Sequence, residues 1–590
     1  MNEIDLSFDA LRAAYRQQRL TPRALMAQLR ERAAALADYH LYIHLLDEAE
    51  LEPLLLALEQ RKPEELPLYG LPFAIKDNID LAGIPTTAAC PAYAYTPGES
   101  ASVVARLISL GALPTGKTNL DQFATGLNGT RSPYGVCRNS RVDEYPSGGS
   151  SSGSALAVAL GLASFALGTD TAGSGRIPAA LNHLVGTKPT RGIVSTHGVL
   201  PACRSLDCVA LLTRHAREAA ELLALTARVD EADAYSRRNP AWNAAPVAGA
   251  GGAFRFGVPA APEWLGCAEA PLLFARARAA LEALGGTAVA IDFAPFMAAA
   301  RLLYEAPFTA ERYAAFGDML ERDPQAVLPV IHQIVGKGRD VSAAALYQTQ
   351  HRLQALKAEC DRAIEGLDLV MTPTYARAPT LAELEAEPIL RNSELGLYTN
   401  FMNLLDYAAV ATPAGFLANG LPWGVTLFGR AFTDQYLLGS AASLHAALFG
   451  PMPAATTTAI ASDRARIVVC GAHLQGLPLN HQLLTRGATL IEKTRSSPDY
   501  RLYALAGGAI RRPGMVRVDQ GGAAIEVEVW ELASAEIGSF LTGIAAPLGL
   551  GKVQLADGRW ETGFICEGVG LNGAEDITAF GGWRGWMAAK

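Results

Sequence analysis

What this chain lacks narrows its function first. Its eight cysteines are scattered from Cys90 to Cys566, and none forms Cys-x-x-Cys. In a chain of 590 residues that scatter suggests free thiols in a reducing compartment rather than a disulfide scaffold. No metal-ligand spacing is present, so neither metal nor cofactor is expected. A basic excess is missing too: 50 Lys and Arg against 58 Asp and Glu leave a net charge of −8. Nucleic acid and anionic membrane surfaces are thereby disfavoured as partners, and a small molecule is favoured. The longest apolar run, Ala155 to Gly168, falls short of the roughly 20 residues that span a bilayer. It reads as one buried helix. Met1-Asn-Glu-Ile-Asp-Leu6 has no basic start followed by an apolar core, so a signal peptide is not expected and the cytoplasm is.

Half the residues are hydrophobic and 18% are charged, as in a globular protein long enough for more than one domain. Thr21-Pro22 predicts a capped helix start. From about residue 65 short apolar runs, glycine turns and helices alternate, the texture of an α/β protein. Asn239 to Phe254 reads as an exposed connection, and helices are expected at 269–284, 298–322 and 341–364. Residues 451–464 are small and aperiodic, a linker between a domain at 1–450 and another at 465–590. The second domain is strand-rich, with a hairpin signal at Asp557-Gly558.

Three patterns compete for the chemistry. Gly111-Ala-Leu-Pro-Thr-Gly116-Lys117-Thr118 has the phosphate-cradling spacing G-x-x-x-x-G-K-[ST]. Pro114 removes a backbone donor there, and no convincing magnesium-binding aspartate follows. Gly149-Ser-Ser151-Ser-Gly153 fits the G-x-S-x-G nucleophile elbow. That reading needs a histidine, and none of His183, His197, His215, His332, His351 or His445 sits in a recognisable motif. The third pattern is a constellation. Lys76 stands in Leu71-Pro-Phe-Ala-Ile-Lys76-Asp-Asn78, Ser150 follows after 74 residues, and Ser174 after 24 more. A serine set among glycines can meet a carbonyl, and a lysine that burial keeps neutral can be its base.

These stretches, with Gly168-Thr-Asp-Thr-Ala-Gly-Ser174-Gly-Arg176-Ile-Pro178 and Gly420-Leu-Pro-Trp-Gly424, resemble the amidase signature family from about residue 20 to 450. The resemblance implies a mixed β-sheet core covered by helices. It implies Ser174 as nucleophile, Ser150 as a relay preceded by a cis peptide, and Lys76 as base. Backbone N–H groups of Thr171, Ala172, Gly173 and Ser174 would form the oxyanion hole, while Asp170 and Arg176 brace the loop. It also makes the Gly111–Thr118 stretch ordinary scaffold. Two positions depart from the family pattern: Ala172 and Ser152 each stand where glycine is usual.

Within that family the variant Thr-Asp-Thr-Ala-Gly-Ser-Gly-Arg, the length and the strand-rich second domain are most similar to the allophanate hydrolases. That resemblance implies hydrolysis of allophanate to ammonia and N-carboxycarbamate. Tyr304 and Arg312, eight residues apart and expected on one helix face, correspond to the pair that holds the substrate carboxylate. Gly126 and Asn128 would line the pocket. The second domain resembles a γ-glutamylcyclotransferase-like module, in which His473 and His481 are candidates for aiding decarboxylation to carbamate. A merely structural or dimer-forming module is the alternative, and a homodimer is expected. Another amidase, or an amidotransferase component handing ammonia to a partner, stays open beside this reading. A nucleotide-binding protein using Gly111–Thr118 is the remote third.

Overall fold

The computed structural model describes residues 4–305, 307–450, 464–507 and 511–590. The expected linker, apart from Arg464, lies outside them. The chain divides into two compact units, Met1–Asn239 with Asn243–Thr456, and Pro240–Trp242 with Thr457–Lys590.

The larger unit is built on one sheet of eleven strands. In chain order these are β1 (Tyr42–Leu45), β2 (Pro72–Lys76), β3 (Leu113–Thr118), β4 (Phe165–Asp170), β5 (Val185–Lys188) and β6 (Cys208–Thr213). They continue as β7 (Phe254–Pro259), β8 (Gly286–Ile291), β9 (Leu369–Pro373), β10 (Tyr407–Phe416) and β11 (Pro422–Arg430). Across the sheet the order is β1-β3-β2-β4-β6-β5-β10-β11-β9-β7-β8. Strand β2 runs parallel to β3 and β4, and β7 parallel to β8 and β9. The other neighbours are antiparallel. The sheet is therefore mixed, as the family resemblance implied. Every residue of β2, β3, β4 and β6 is buried, so these strands show no alternation of buried and exposed positions.

That burial explains one misreading. Ala155 to Gly168 is not one helix. Helix α1 (Ser152–Ala159) ends, Gly161 turns the chain at φ +69°, and β4 begins at Phe165. A run buried on all sides shows neither the helical nor the strand period, so length alone could not locate the break. Helix α2 (Arg176–Leu181) follows β4 through the turn that carries Ser174. The expected helix over 298–322 is two helices, α3 (Ala294–Glu305) and α4 (Thr309–Arg322). Pro307, between them, has no N–H to continue the first. Asn239 to Phe254 holds a short 3-10 turn at Ala241–Asn243 and runs into β7, and Asn243, Ala250 and Phe254 are buried rather than exposed. Helices at Ala270–Ala283 and Ala343–Ala363 fall where the periodicity placed them. The Thr21 side chain caps the helix Pro22–Ala35 by accepting from Ala24 N–H.

The smaller unit is mostly β, with a five-stranded and a three-stranded sheet. Strands Leu548–Gln554 and Trp560–Cys566 pair around Asp557-Gly558, where Gly558 takes φ +89°. Among the described residues, no helix is long and apolar enough to cross a membrane.

Candidate active site

Lys76 ends β2, and its side chain is wholly buried beside the end of β4. Its Nζ donates to Ser150 Oγ at 2.7 Å and to Thr169 Oγ1 at 2.6 Å. Burial pulls the amine down to about 7, against opposing pulls from Asp121, Asp207 and Asp170. Much of it is therefore neutral at pH 7, and a neutral amine can accept the Ser150 hydroxyl proton instead of donating. The Gly149-Ser150 peptide is cis. Ser150 is pinned through its carbonyl, which accepts from Asp121 N–H at 3.2 Å.

The turn after β4 is held by one carboxylate. Asp170 accepts two parallel bonds from Arg176, Nε and Nη2 both at 2.9 Å, with both side chains wholly buried. It also accepts the N–H groups of Gly173 at 2.9 Å and Gly175 at 3.2 Å. Burial pushes the Asp170 carboxyl up, but Arg176 and these donors hold it below its ordinary value. Gly173 has φ +133°, and a Cβ there would run into Thr399. Ala172 has no positive φ, so the family's usual glycine is dispensable at that position and not at the next. The Gly173 N–H donates to Asp170, while the amides of Thr171 and Ala172 make no hydrogen bond among the described residues.

Ser174 Oγ, nearly buried, donates to the Gly126 carbonyl at 3.4 Å. Its own carbonyl accepts from Ser151 N–H at 3.4 Å. No direct bond joins the Ser174 and Ser150 hydroxyls among the described residues; a hydroxyl can rotate into such a bond once substrate is present. The loop beneath Ser174 is tied by Asp121, which accepts N–H groups from Asn128, Gly129 and Arg131. Asn128 ties that loop to a distant helix, its Nδ2 donating to Asn392 Oδ1 while its Oδ1 accepts from Thr130 N–H.

Tyr304 and Arg312 do not share a helix, since Tyr304 lies in α3 and Arg312 in α4. They meet nonetheless, the guanidinium carbon 5.6 Å from the Tyr304 ring centroid. Arg312 is 1% exposed and donates from Nη1 to Thr125 Oγ1 at 3.0 Å, next to Gly126. Its Nε has no partner, and no carboxylate pairs with it among the described residues. A buried cation in that condition is costly unless an anion joins it.

Three positions carried no signal of their own. Thr169 touches Lys76 across 93 residues. Asp207 accepts from the Thr171 hydroxyl and from Ala202 and Cys203 N–H. Glu311 accepts from Ser205 N–H at 2.6 Å and Ser205 Oγ at 2.7 Å. Through residues 202–207 the turn of Thr171 is thus connected to the helix of Arg312.

The competing motifs resolve structurally. Gly116, Lys117 and Thr118 lie in β3, not in a phosphate loop, and Lys117 Nζ sits 2.9 Å from Asp77 in a fully buried pair. Ser151 Oγ is held between the N–H and carbonyl of Thr169, at 3.2 and 3.1 Å, so it is a strand-edge brace.

In the smaller unit His473 Nε2 lies 3.0 Å from Gln482 Oε1, and the ring stacks on Phe564 at 5.2 Å. Burial lowers its pKa. His473 lines a small cavity with Cys470, Arg512 and Phe564. His481 is exposed, its Nδ1 2.8 Å from the Pro478 carbonyl, and is not part of that lining.

The Amidase family profile matches residues 24–438. The chain belongs to the amidase family. A second profile, the allophanate hydrolase C-terminal domain, matches residues 465–588 of this amidase family member. Urea amidolyase of Lachancea kluyveri is 42% identical over 572 residues, which is 92% of the chain and 31% of that protein. The chain thus spans less than a third of the urea amidolyases it matches. The solved allophanate hydrolase of Kluyveromyces lactis matches along its length, 99% of each chain at 38% identity and TM-score 0.77. A glutamyl-tRNA(Gln) amidotransferase chain from Symbiobacterium thermophilum is 36% identical, but over only 63% of this chain and 81% of its own length.

Proposed function

We propose that this chain is an allophanate hydrolase that works through Lys76, Ser150 and Ser174. The observation that carries the substrate assignment is Arg312: a buried guanidinium without a carboxylate, set on Thr125 beside the Gly126 that faces Ser174. A small amide bearing a carboxylate supplies that missing charge. Tyr304 then offers a hydroxyl donor at the same end of the substrate.

Anchored there, allophanate presents its terminal amide carbonyl to Ser174. Neutral Lys76 takes the Ser150 proton, Ser150 takes the Ser174 proton, and Ser174 Oγ adds to the carbonyl. The N–H groups of Thr171, Ala172 and Ser174 hold the resulting oxyanion; losing one such donor typically costs about 10²–10³ in rate. Collapse of the adduct expels ammonia, which leaves with the proton returned through Ser150. Water, deprotonated by the same relay, releases N-carboxycarbamate and restores the serine. In the smaller unit His473, rather than the exposed His481, is the residue we assign to positioning N-carboxycarbamate by hydrogen bonding as it takes a proton from water and loses carbon dioxide to give carbamate. The whole is read as a cytoplasmic homodimer, which light scattering checks.

Purified protein given allophanate is expected to release ammonia without added ATP or metal. Malonamate keeps the carboxylate and simple aliphatic amides lack it. Equal turnover of both would overturn the role given to Arg312. Ammonia released only in the presence of a partner protein would favour an amidotransferase component.

A further inference from the structure

A second cavity, about 260 Å³, is lined by Arg191, Arg204, Arg237, Ser205, Tyr235 and Asp207, the last of which accepts from the Thr171 hydroxyl. Its chemistry is concentrated in the three guanidinium groups. Arg191 and Arg237 share one carboxylate: Arg191 Nε donates to Asp406 Oδ1 at 3.2 Å, and Arg237 Nη1 reaches both Asp406 oxygens at 2.9 Å. Arg191 Nη1 also holds the Ser205 carbonyl at 2.8 Å. The Arg237 guanidinium lies over the Phe432 ring, 4.6 Å from its centroid, which sets its plane. Arg204 is exposed and makes no hydrogen bond or ion pair among the described residues.

The acids nearby are already used. Asp207 takes the Thr171 hydroxyl and two backbone donors, Glu311 is turned onto Ser205, and Asp233 onto Thr196 and Tyr235. Their oxygens face protein donors, while one edge of each arginine fork does not. Two of the three forks are fixed before any ligand arrives, which lowers the ordering cost of binding. Planar forks lining a concave pocket can recognise a compact oxyanion through paired N–H···O bonds.

We propose that this cavity binds a small oxyanion of the phosphate class, at a site separate from Ser174 and Arg312. The proposal stands without the allophanate reading, since it concerns binding alone. Calorimetric titration of the full chain with inorganic phosphate is expected to show one saturable site at millimolar concentrations. Arg204→Ala, which removes an exposed side chain that makes no hydrogen bond or ion pair among the described residues, is expected to weaken that binding about tenfold or more, the worth of a charged hydrogen bond. Ammonia release without phosphate stays as in the parent. In the Ser174→Ala chain, saturating malonamate leaves phosphate affinity unchanged. The proposal is overturned if no saturable binding appears, if Arg204→Ala binds as the parent does, or if malonamate displaces phosphate, which would put the ion at Arg312.

Discussion

Lys76 in the larger unit and His473 in the smaller are both bases that burial pushes toward the neutral form, and they are held in different ways. Two hydroxyls fix Lys76, and around them Asp121, Asp170 and Asp207 gather backbone donors from three separate loops. His473 has one amide partner and a wall of aromatic rings. The first site is a network in which each member is placed by others. The second is a single group in an apolar niche. Loss of one residue should therefore spread through the first and stay local in the second.

The sharpest way to break that comparison is at the nucleophile. Ser174→Ala is expected to lower ammonia release by about 10⁴-fold or more while the circular dichroism spectrum is preserved. Retained turnover would end the proposed mechanism. Arg176→Met comes next. It leaves Asp170 charged and unpaired in the interior, and breaking such a pair costs about 3–5 kcal/mol. Urea unfolding of the larger unit reads this loss, and an unchanged midpoint would mean that the turn is not held by the pair. His473→Ala tests the other side: ammonia release should not change, while carbamate formation from N-carboxycarbamate falls about 10²-fold or more. A drop in both would show that the units do not divide the chemistry as proposed.

Two smaller effects sharpen the account of Lys76. In the proposed mechanism its amine acts as base only when neutral, and burial pulls it down to about 7. Thus kcat/KM for ammonia release should rise about tenfold per pH unit on the acid side and level off above that value. Lys76 loses the Thr169 contact in Thr169→Val, worth about 0.5–1.5 kcal/mol, so roughly three- to tenfold in rate is expected. The acid limb of the profile should move with it. A rate loss with the limb unmoved would assign Thr169 to packing alone.

Local chemistry was legible in the chain: the cap at Thr21-Pro22, the hairpin at Asp557-Gly558, and the motif residues Lys76, Ser150 and Ser174 that the fold brings into one region. Reading failed where burial erased periodicity, as in Ala155 to Gly168. It failed again where Pro307 interrupted a helical pattern, so that Tyr304 and Arg312 meet across a break rather than along one face. Thr169 and Asp207 were invisible for a different reason. A threonine or aspartate that serves a partner far away in the chain leaves no spacing to detect, and the meaning of each appears only when the sheet brings its partner alongside.

Asn403 gives the site a timetable. Its Nδ2 donates to the carbonyl of Asp170 at 2.7 Å and to that of Leu206 at 2.9 Å, so the catalytic turn is completed by a residue 233 positions downstream. At a ribosomal rate of about 5–20 residues per second, Asn403 is made roughly 10–50 s after Asp170. During synthesis the Asp170–Arg176 pair is therefore complete well before Asn403 joins it, and a chain stopped short of residue 403 should carry Lys76, Ser150 and Ser174 without this last tie between Asp170 and Leu206.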